Sequence, residues 1–568
     1  MEENTFDAIV VGSGISGGWA AMELCRKGLK TIVLERGRQV KHIVDYKTAN
    51  LEPWQLPNAG RVPLKEKEEH YKVQSRAGYT VHEARKHFFV KDSEHPYTEI
   101  NRFDWMRGYH EGGRSLMWGR QVYRWSDLDF EANAKEGIGV DWPIRYKDIA
   151  PWYSYVEKFI GISGEKLGLP HLPDGEFMPP MELNCVEKHL RESIDENFED
   201  RVLTVGRIAH LTGELEHDLT PHRGKCQYRN RCMRGCPFGA YFSSNSSTLH
   251  VAKETGNMTL RPHSIVHSVI YDEATGKASG VKVIDSETKE MVEFKAKIIF
   301  LNASTIGSTS ILLNSTSDRF PNGMGNDSGE LGHNMMDHHF HVGAHGSRDD
   351  FKDQYFYGRR PNGIYIPRFR NLNGQKKRDY IRGFGYQGGA SRAGTSRGAG
   401  MEGLGKDFKD GLTQPGDWSF NLLGFGECLP YHENFMRLSK TKKDQFGMPI
   451  LEIDALFREN ETKMRVDMQN DAAEMLEKAG FKDVSTYDNK ENYHVGLGIH
   501  EMGTARMGRD AKTSVLNKNN QVHGVPNVFV TDGACMTSAG CQNPSITYMA
   551  LTARAVDFAV KELKKQNL

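Results

Sequence analysis

Residues 6–17 read FDAIVVGSGISG, and residues 31–35 read TIVLE. The first stretch is an apolar run, Phe6 to Val11, that breaks on Gly12, Gly14 and Gly17. The second is a shorter run, Thr31 to Leu34, closed by Glu35. Between them Ala21, Leu24, Cys25 and Leu29 recur at helical spacing. This predicts strand, tight turn, helix and parallel strand. The glycines let the backbone approach a pyrophosphate at the positive end of the helix. Glu35, about 23 residues past Gly12, is spaced to accept hydrogen bonds from a ribose. A bare GxGxxG is a weak signal; one that follows a strand, opens a helix and ends in an acid is strong. It does not separate NAD from FAD.

Working outward, Lys41 to Phe103 is polar and weakly periodic, and it reads as a long excursion over the surface. Val186, Leu190, Ile194 and Phe198 predict an amphipathic helix over 186–199. Runs at Ser264–Tyr271, Ala278–Ile284, Met291–Ala296 and Lys297–Leu301 predict a meander returning to the first sheet. From Asp337 to Tyr493 the character changes. Strand-like pieces (His339–Gly346, Trp418–Gly424, Phe435–Ser439) flank a Gly/Arg/Ser-rich segment, Arg382–Gly405, expected to be a mobile loop. A helix follows over Glu459–Lys478. Val528–Thr531 then reads as a strand and Ser545–Leu563 as a helix. The expected fold is α/β: a Rossmann-type dinucleotide-binding domain over 1–336, with the insert at about 41–103 and a cysteine segment at 222–240. An α+β substrate domain with an antiparallel sheet covers 337–494, and 495–568 returns to the first domain.

Composition narrows the class. With 568 residues, 38% of them hydrophobic, and 58 glycines, the chain has the apolar share of a globular protein too large for one core. Lys+Arg and Asp+Glu are 74 each, so no broad basic footprint for nucleic acid is expected. No apolar run reaches membrane-spanning length, so no direct membrane insertion is expected. MEENTFDAIVVG has neither a basic n-region nor a twin-Arg pair, so no export signal is expected on this chain. Eight cysteines are too sparse for a disulfide scaffold.

Three further motifs carry chemistry. GGRSLMWG (112–119) offers glycines and small residues that let backbone lie along a flat ring, or simply a packed turn. Cys226, Cys232 and Cys236, with Pro237 after the last, have spacing that converges on a soft metal centre. Three thiolates suit a [3Fe–4S] cluster, or a [4Fe–4S] cluster with a non-Cys ligand. Arg229, Arg231 and Arg234 would offset its negative charge. The alternatives are zinc with a distant ligand, His222 or Cys185, or three unrelated thiols. HEMGTARMG (500–508) opens on a histidine, the natural base for a hydroxyl proton as hydride leaves the adjacent carbon. Asn543 can hold the substrate oxygen from the other side, or simply cap a helix whose first residue is Pro544. Trp105, Trp118, Tyr123 and Trp125 are candidates for stacking on the face of a bound ring, or simply ordinary core material.

Taken in order, these pieces resemble the glucose–methanol–choline (GMC) oxidoreductases. The other stations that carry the likeness are DWPIRYKDIAPWYSYVEKFIGISG (141–164), NASTIGSTSILLNS (302–315), NFMRLSKTKKDQFGMP (434–449) and TDGACMTSAGCQNPSIT (531–547). The cysteine run is similar to that of the iron–sulfur branch, which holds catalytic subunits of bacterial sugar dehydrogenases, glucoside 3-dehydrogenases among them. The resemblance implies FAD, with Gly12, Gly14 and Gly17 at the pyrophosphate and Glu35 at the adenosine ribose. It places Gly113 and Ser115 near the flavin, Asp532 and Gly533 on the ribityl–pyrophosphate side, and His500 with Asn543 as the catalytic pair. Where some relatives attach FAD through a histidine, this chain has Met117, so non-covalent FAD is expected.

The function expected is oxidation of a secondary sugar or glycoside hydroxyl, at C3, to a 3-keto sugar. Electrons would pass through the cluster to a cytochrome or other protein acceptor. Alternatives within the fold are a gluconate or glucose dehydrogenase and a pyranose-type oxidase; outside it, a redox-sensing flavoprotein. The resemblance also implies a small accessory subunit, and with it a periplasmic home reached through that partner's signal, or a cytoplasmic one.

Overall fold

The computed structural model describes residues 4–354, 363–372 and 374–568. Strand Thr5–Val11 sits inside an eight-stranded sheet, flanked in parallel by Thr31–Leu34 and Met291–Leu301. Val11 stands beside Leu34 on one side and Leu301 on the other, so all three strands end at one level. Met258–Arg261 and Val525–Val530 extend the parallel order outward on the two sides. The crevice beyond the carboxyl ends of such strands is where an open α/β sheet binds ligands. Helices Ile15–Arg26, Tyr146–Ile160 and Ser545–Lys564 pack together on the sheet, which brings the C-terminal return against the N-terminal turn.

Met291–Leu301 corrects the expected break at Lys297: it is one strand that changes partner. Its first half pairs antiparallel with Lys277–Asp285, and from Lys295 onward it runs parallel to Thr5–Val11. The burial pattern carries the change. Met291, Glu293, Lys295 and Lys297 are exposed while Phe294 and Ala296 are buried, and Ile298 to Leu301 are buried on both faces. That is the difference between a half-solvated antiparallel strand and a covered parallel one.

A second, six-stranded antiparallel sheet runs in the order Lys482–Asp488, Val342–Arg348, Trp418–Gly426, Phe384–Arg392, Ile364–Ile366 and Thr204–Val205. Helix Glu459–Lys478 lays Met464, Met468, Ala472, Met475 and Leu476 on it, and helix Cys185–Asn197 adds Val186, Leu190 and Ile194. The Gly/Arg/Ser-rich segment is therefore not simply a loop. Its first half is strand Phe384–Arg392, with Phe384 and Tyr386 buried. A Cβ at Gly388 would lie 2.0 Å from the Asn421 carbonyl oxygen, so its glycine serves strand packing.

The 41–103 insert also departs from expectation. Tyr46, Ala49, Phe88 and Phe89 pack with Val40, Leu116 and Met117 into a small core of their own. Its polar composition concealed a few well-placed aromatics that no periodicity announces. Among the described residues no helix is long and apolar enough to cross a membrane.

Candidate active site

The carboxyl ends of the first sheet open into a cavity of about 860 Å³. Gly12, Gly14, Glu35, Gly113, Ser115, Asp532, Gly533, His500 and Asn543 all line it, and so does Cys232. Gly17, Cys226 and Cys236 do not. Gly17 works from behind: a Cβ there would stand 1.9 Å from the Gly12 carbonyl oxygen, so glycine lets the helix seat on the turn. Gly12 itself adopts φ +92° against Asn302, which L side chains avoid. At Gly14 a Cβ would meet nothing within 4 Å, leaving the helix N-terminus open to the cavity. Glu35 is held by the Ser13 hydroxyl (2.5 Å), the Ser13 N–H (3.2 Å) and the Gly37 N–H (2.9 Å); burial pushes its carboxyl up. Asp532 accepts from Ser308 Oγ at 2.6 Å and from the Ala534 N–H at 3.0 Å, and burial raises it to about 6.

These residues fit a dinucleotide. The acid and the open helix N-terminus lie at one end, Gly113 and Ser115 along one wall, and Asn302 and Tyr548, whose buried Oδ1 and Oη have no protein partner, line the same space. Met117 lines the cavity where a covalent link would need histidine.

At the other end His500 Nε2 lies 3.3 Å from Asn543 Nδ2. Helix Ser545–Lys564 takes no side-chain cap from Asn543; that side chain turns instead to His500 and Gln387. His500 Nδ1 meets His338 Nδ1 at 2.9 Å, and His338 Nε2 meets the Gly540 carbonyl oxygen at 2.5 Å. Burial holds His338 down to about 4. Burial, His338 and Arg114 hold His500 well below the usual imidazole range. Asp337 anchors the arrangement through four backbone N–H groups, those of His338, Gly496, Gly498 and His500, at 2.8–3.0 Å. Beside it Arg114 grips Glu501 with two bonds, 3.1 and 2.8 Å.

Sequence reading missed His338, Asp337 and Arg114. The Asp337-His338-His339 run was the available signal, but among 23 histidines nothing local marks one. Of the aromatic candidates, Trp105 and Trp118 line the cavity. Tyr123 and Trp125 are core: Tyr123 stacks on Tyr365 at 3.9 Å, and Trp125 packs edge-on to Trp142.

The three cysteines line a second, smaller cavity of about 30 Å³, and Cys232 belongs to both cavities. Their sulfurs are not gathered within 4.8 Å of one another; among the described residues the ligand set that is so gathered is Asp337, His338 and His500. His222 and Cys185 do not line this cavity, but the buried His210 does, and neither of its ring nitrogens has a partner. Arg223 Nη2 and Arg120 Nε are likewise buried and unpartnered. Arg229 and Arg231 line this cavity too, and with Arg234 they tie it to the insert, bonding Ala49, Asn50, Leu51 and Glu52. Burial pushes the Cys226 thiol up to about 11, so without a metal it stays protonated.

Residues 6–340 match the N-terminal model of the family described as GMC oxidoreductase, and residues 430–552 match its C-terminal model. The chain is 27% identical to 2-methyl-1,2-propanediol dehydrogenase of Mycolicibacterium austroafricanum, over 97% of this chain and 94% of that one. It is 24% identical to the fructose dehydrogenase large subunit of Gluconobacter japonicus, over 98% of each. Among solved structures, formate oxidase of Aspergillus oryzae superposes over the full length of both chains with a TM-score of 0.61 at 14% identity.

Proposed function

The chain belongs to the GMC oxidoreductase family, flavoproteins that bind FAD and act on CH–OH donors, and from that premise we propose that it is an FAD-dependent dehydrogenase of a sugar or glycoside secondary hydroxyl, at C3. One observation carries the reading: a single cavity joins Glu35 and the glycine turn to the His500–Asn543 pair. Gly12, Gly14, Glu35, Gly113, Ser115, Asp532 and Gly533 would hold FAD without a covalent bond. When bound, it supplies a ring N5 that accepts hydride.

The protein's part is orientation and proton transfer. The substrate hydroxyl sits between His500 Nε2 and the Asn543 amide. His500 takes its proton, and Asn543 donates an N–H to the oxygen as negative charge grows there. Arg114, paired with Glu501 beside His500, helps to hold the imidazole neutral and ready to accept. Trp105 and Trp118 offer faces to a sugar ring.

Cys226, Cys232 and Cys236 would hold an iron–sulfur cluster, [3Fe–4S] in this proposal, which supplies one-electron transfer. In favour are the one small cavity that the three cysteines line, the unpartnered His210, Arg120 and Arg223, and the sharing of Cys232 between the two cavities. A relay argues for a protein acceptor and an accessory subunit rather than oxygen. The fructose dehydrogenase relative is named as a large subunit, which supports such a partner, and a partner-borne signal would then set the compartment, periplasm or cytoplasm. Anaerobic bleaching of the flavin by a panel of glycosides, with iron and sulfide content, tests the proposal. Bleaching by no alcohol would remove the enzyme reading, leaving the redox sensor; peroxide formation without iron would favour an oxidase.

A further inference from the structure

Asn543 does not end the hydrogen-bond series at the base. Its Oδ1 accepts from Gln387 Nε2 at 2.9 Å, Gln387 Oε1 accepts from Gln121 Nε2 at 2.6 Å, and Gln121 Oε1 accepts from the buried Tyr123 hydroxyl. Gln387 comes from the second, six-stranded sheet, in strand Phe384–Arg392, and Gln121 from the segment that bridges to Ile208. Together with His500, His338 and Gly540 this is one unbroken line of six hydrogen bonds.

The line has a direction, and one carbonyl sets it. The Gly540 oxygen can only accept, so His338 carries its proton on Nε2. A neutral His338 then presents a lone pair at Nδ1, and His500 must donate from its own Nδ1. Nε2 of neutral His500 is thereby left bare, and Asn543 must turn its NH₂ toward it. Asn543 Oδ1 is then the acceptor, Gln387 donates to it, Gln121 donates to Gln387, and Tyr123 donates to Gln121.

We infer that Gln387 and Gln121 are positioning residues, holding the Asn543 amide with N–H groups rather than oxygen toward the substrate's developing alkoxide. The inference rests on His500 and Asn543 being the catalytic pair. Reversed, Asn543 would point Oδ1 at that alkoxide and at the His500 lone pair, repelling the first and requiring a proton on the second.

An acceptor-only replacement can force the reversal. In Gln387→Glu the carboxylate demands a donor from Asn543. In Gln121→Glu it demands one from Gln387, which then presents its oxygen to Asn543, the same inversion from one residue further away. The readout is the anaerobic rate of flavin reduction by substrate against pH. The charged and titratable groups facing His500 are His338, Asp337, Glu501 and Arg114, and neither substitution touches them. Each variant should lose on the order of a hundredfold in the high-pH plateau, as for loss of one oxyanion donor. Gln387→Leu, which removes the partner without inverting the line, should lose less than Gln387→Glu.

Distance separates this from simple electrostatics. A new carboxylate acting only through its charge raises the pH at which the base works and opposes the growing alkoxide charge, but more weakly from position 121 than from 387, whereas inversion costs as much from either. A plateau within twofold of wild type in both Glu variants, with flavin content unchanged, overturns the inference; so does a Leu variant as slow as the Glu one. Full flavin reduction in His500→Ala would instead overturn the reading on which it rests. Should Gln387→Glu fail to bind flavin, Gln121→Glu carries the test.

Discussion

The two ends of the site differ in how their buried polar atoms are satisfied. Around His500 the ring nitrogens of His500 and His338 and the Asn543 amide have protein partners, closing into one directed line. Around the cysteines His210 has two unpartnered nitrogens, and Arg120 and Arg223 each leave an N–H unmet. Unmet buried polar groups are costly, so those near the cysteines support the cluster proposed there. The line through His500 closes within the protein.

The sharpest way to break this contrast is at the base. His500→Ala should slow anaerobic flavin reduction by substrate on the order of a hundredfold or more, measured by stopped flow. A rate close to wild type would mean that the completed network serves structure and not chemistry. At the other end, Cys232→Ser should lower bound iron and slow reoxidation by a protein acceptor more than it slows reduction by substrate. Equal iron content in the variant and wild type would leave the orphaned groups without the partner assigned to them.

His338→Phe removes the acceptor for His500 Nδ1 and frees the ring to choose its tautomer. A loss on the order of tenfold in flavin reduction is expected, with little change in flavin content. The smallest effect concerns pH. Burial, His338 and Arg114 hold His500 well below its usual 6.5, so its lone pair is already free at that pH. The rate of flavin reduction should therefore stay level as pH is lowered from neutrality to about 6.5. Burial also raises the Asp337 carboxyl to about 7, so a fall through that interval that Asp337→Asn does not remove would show that the imidazole is not held neutral.

Much of the frame was legible in the linear chain. FDAIVVGSGISG fixed a strand, a turn and a helix because each depends on neighbours within a few residues, and helix Glu459–Lys478 was bounded correctly by its own periodicity. The Arg382–Gly405 segment was misread for a related reason. Its glycines signal flexibility locally, yet at Gly388 the missing Cβ exists to admit the carbonyl of Asn421 from a neighbouring strand. The insert hid its aromatics in the same way, since a small core built from scattered positions has no period.

Sequence alone determined that a dinucleotide turn, a cysteine segment, a histidine and an asparagine occur in this order. Only the tertiary structure decided which atoms face which. His338 comes to His500 from 162 residues away, Gln387 to Asn543 from 156, and Gln121 to Gln387 from 266. The physical reason is that a hydrogen bond's direction belongs to the pair and not to either residue. An amide or imidazole can donate or accept, and it is the Gly540 carbonyl, fixed by the fold, that makes the choice.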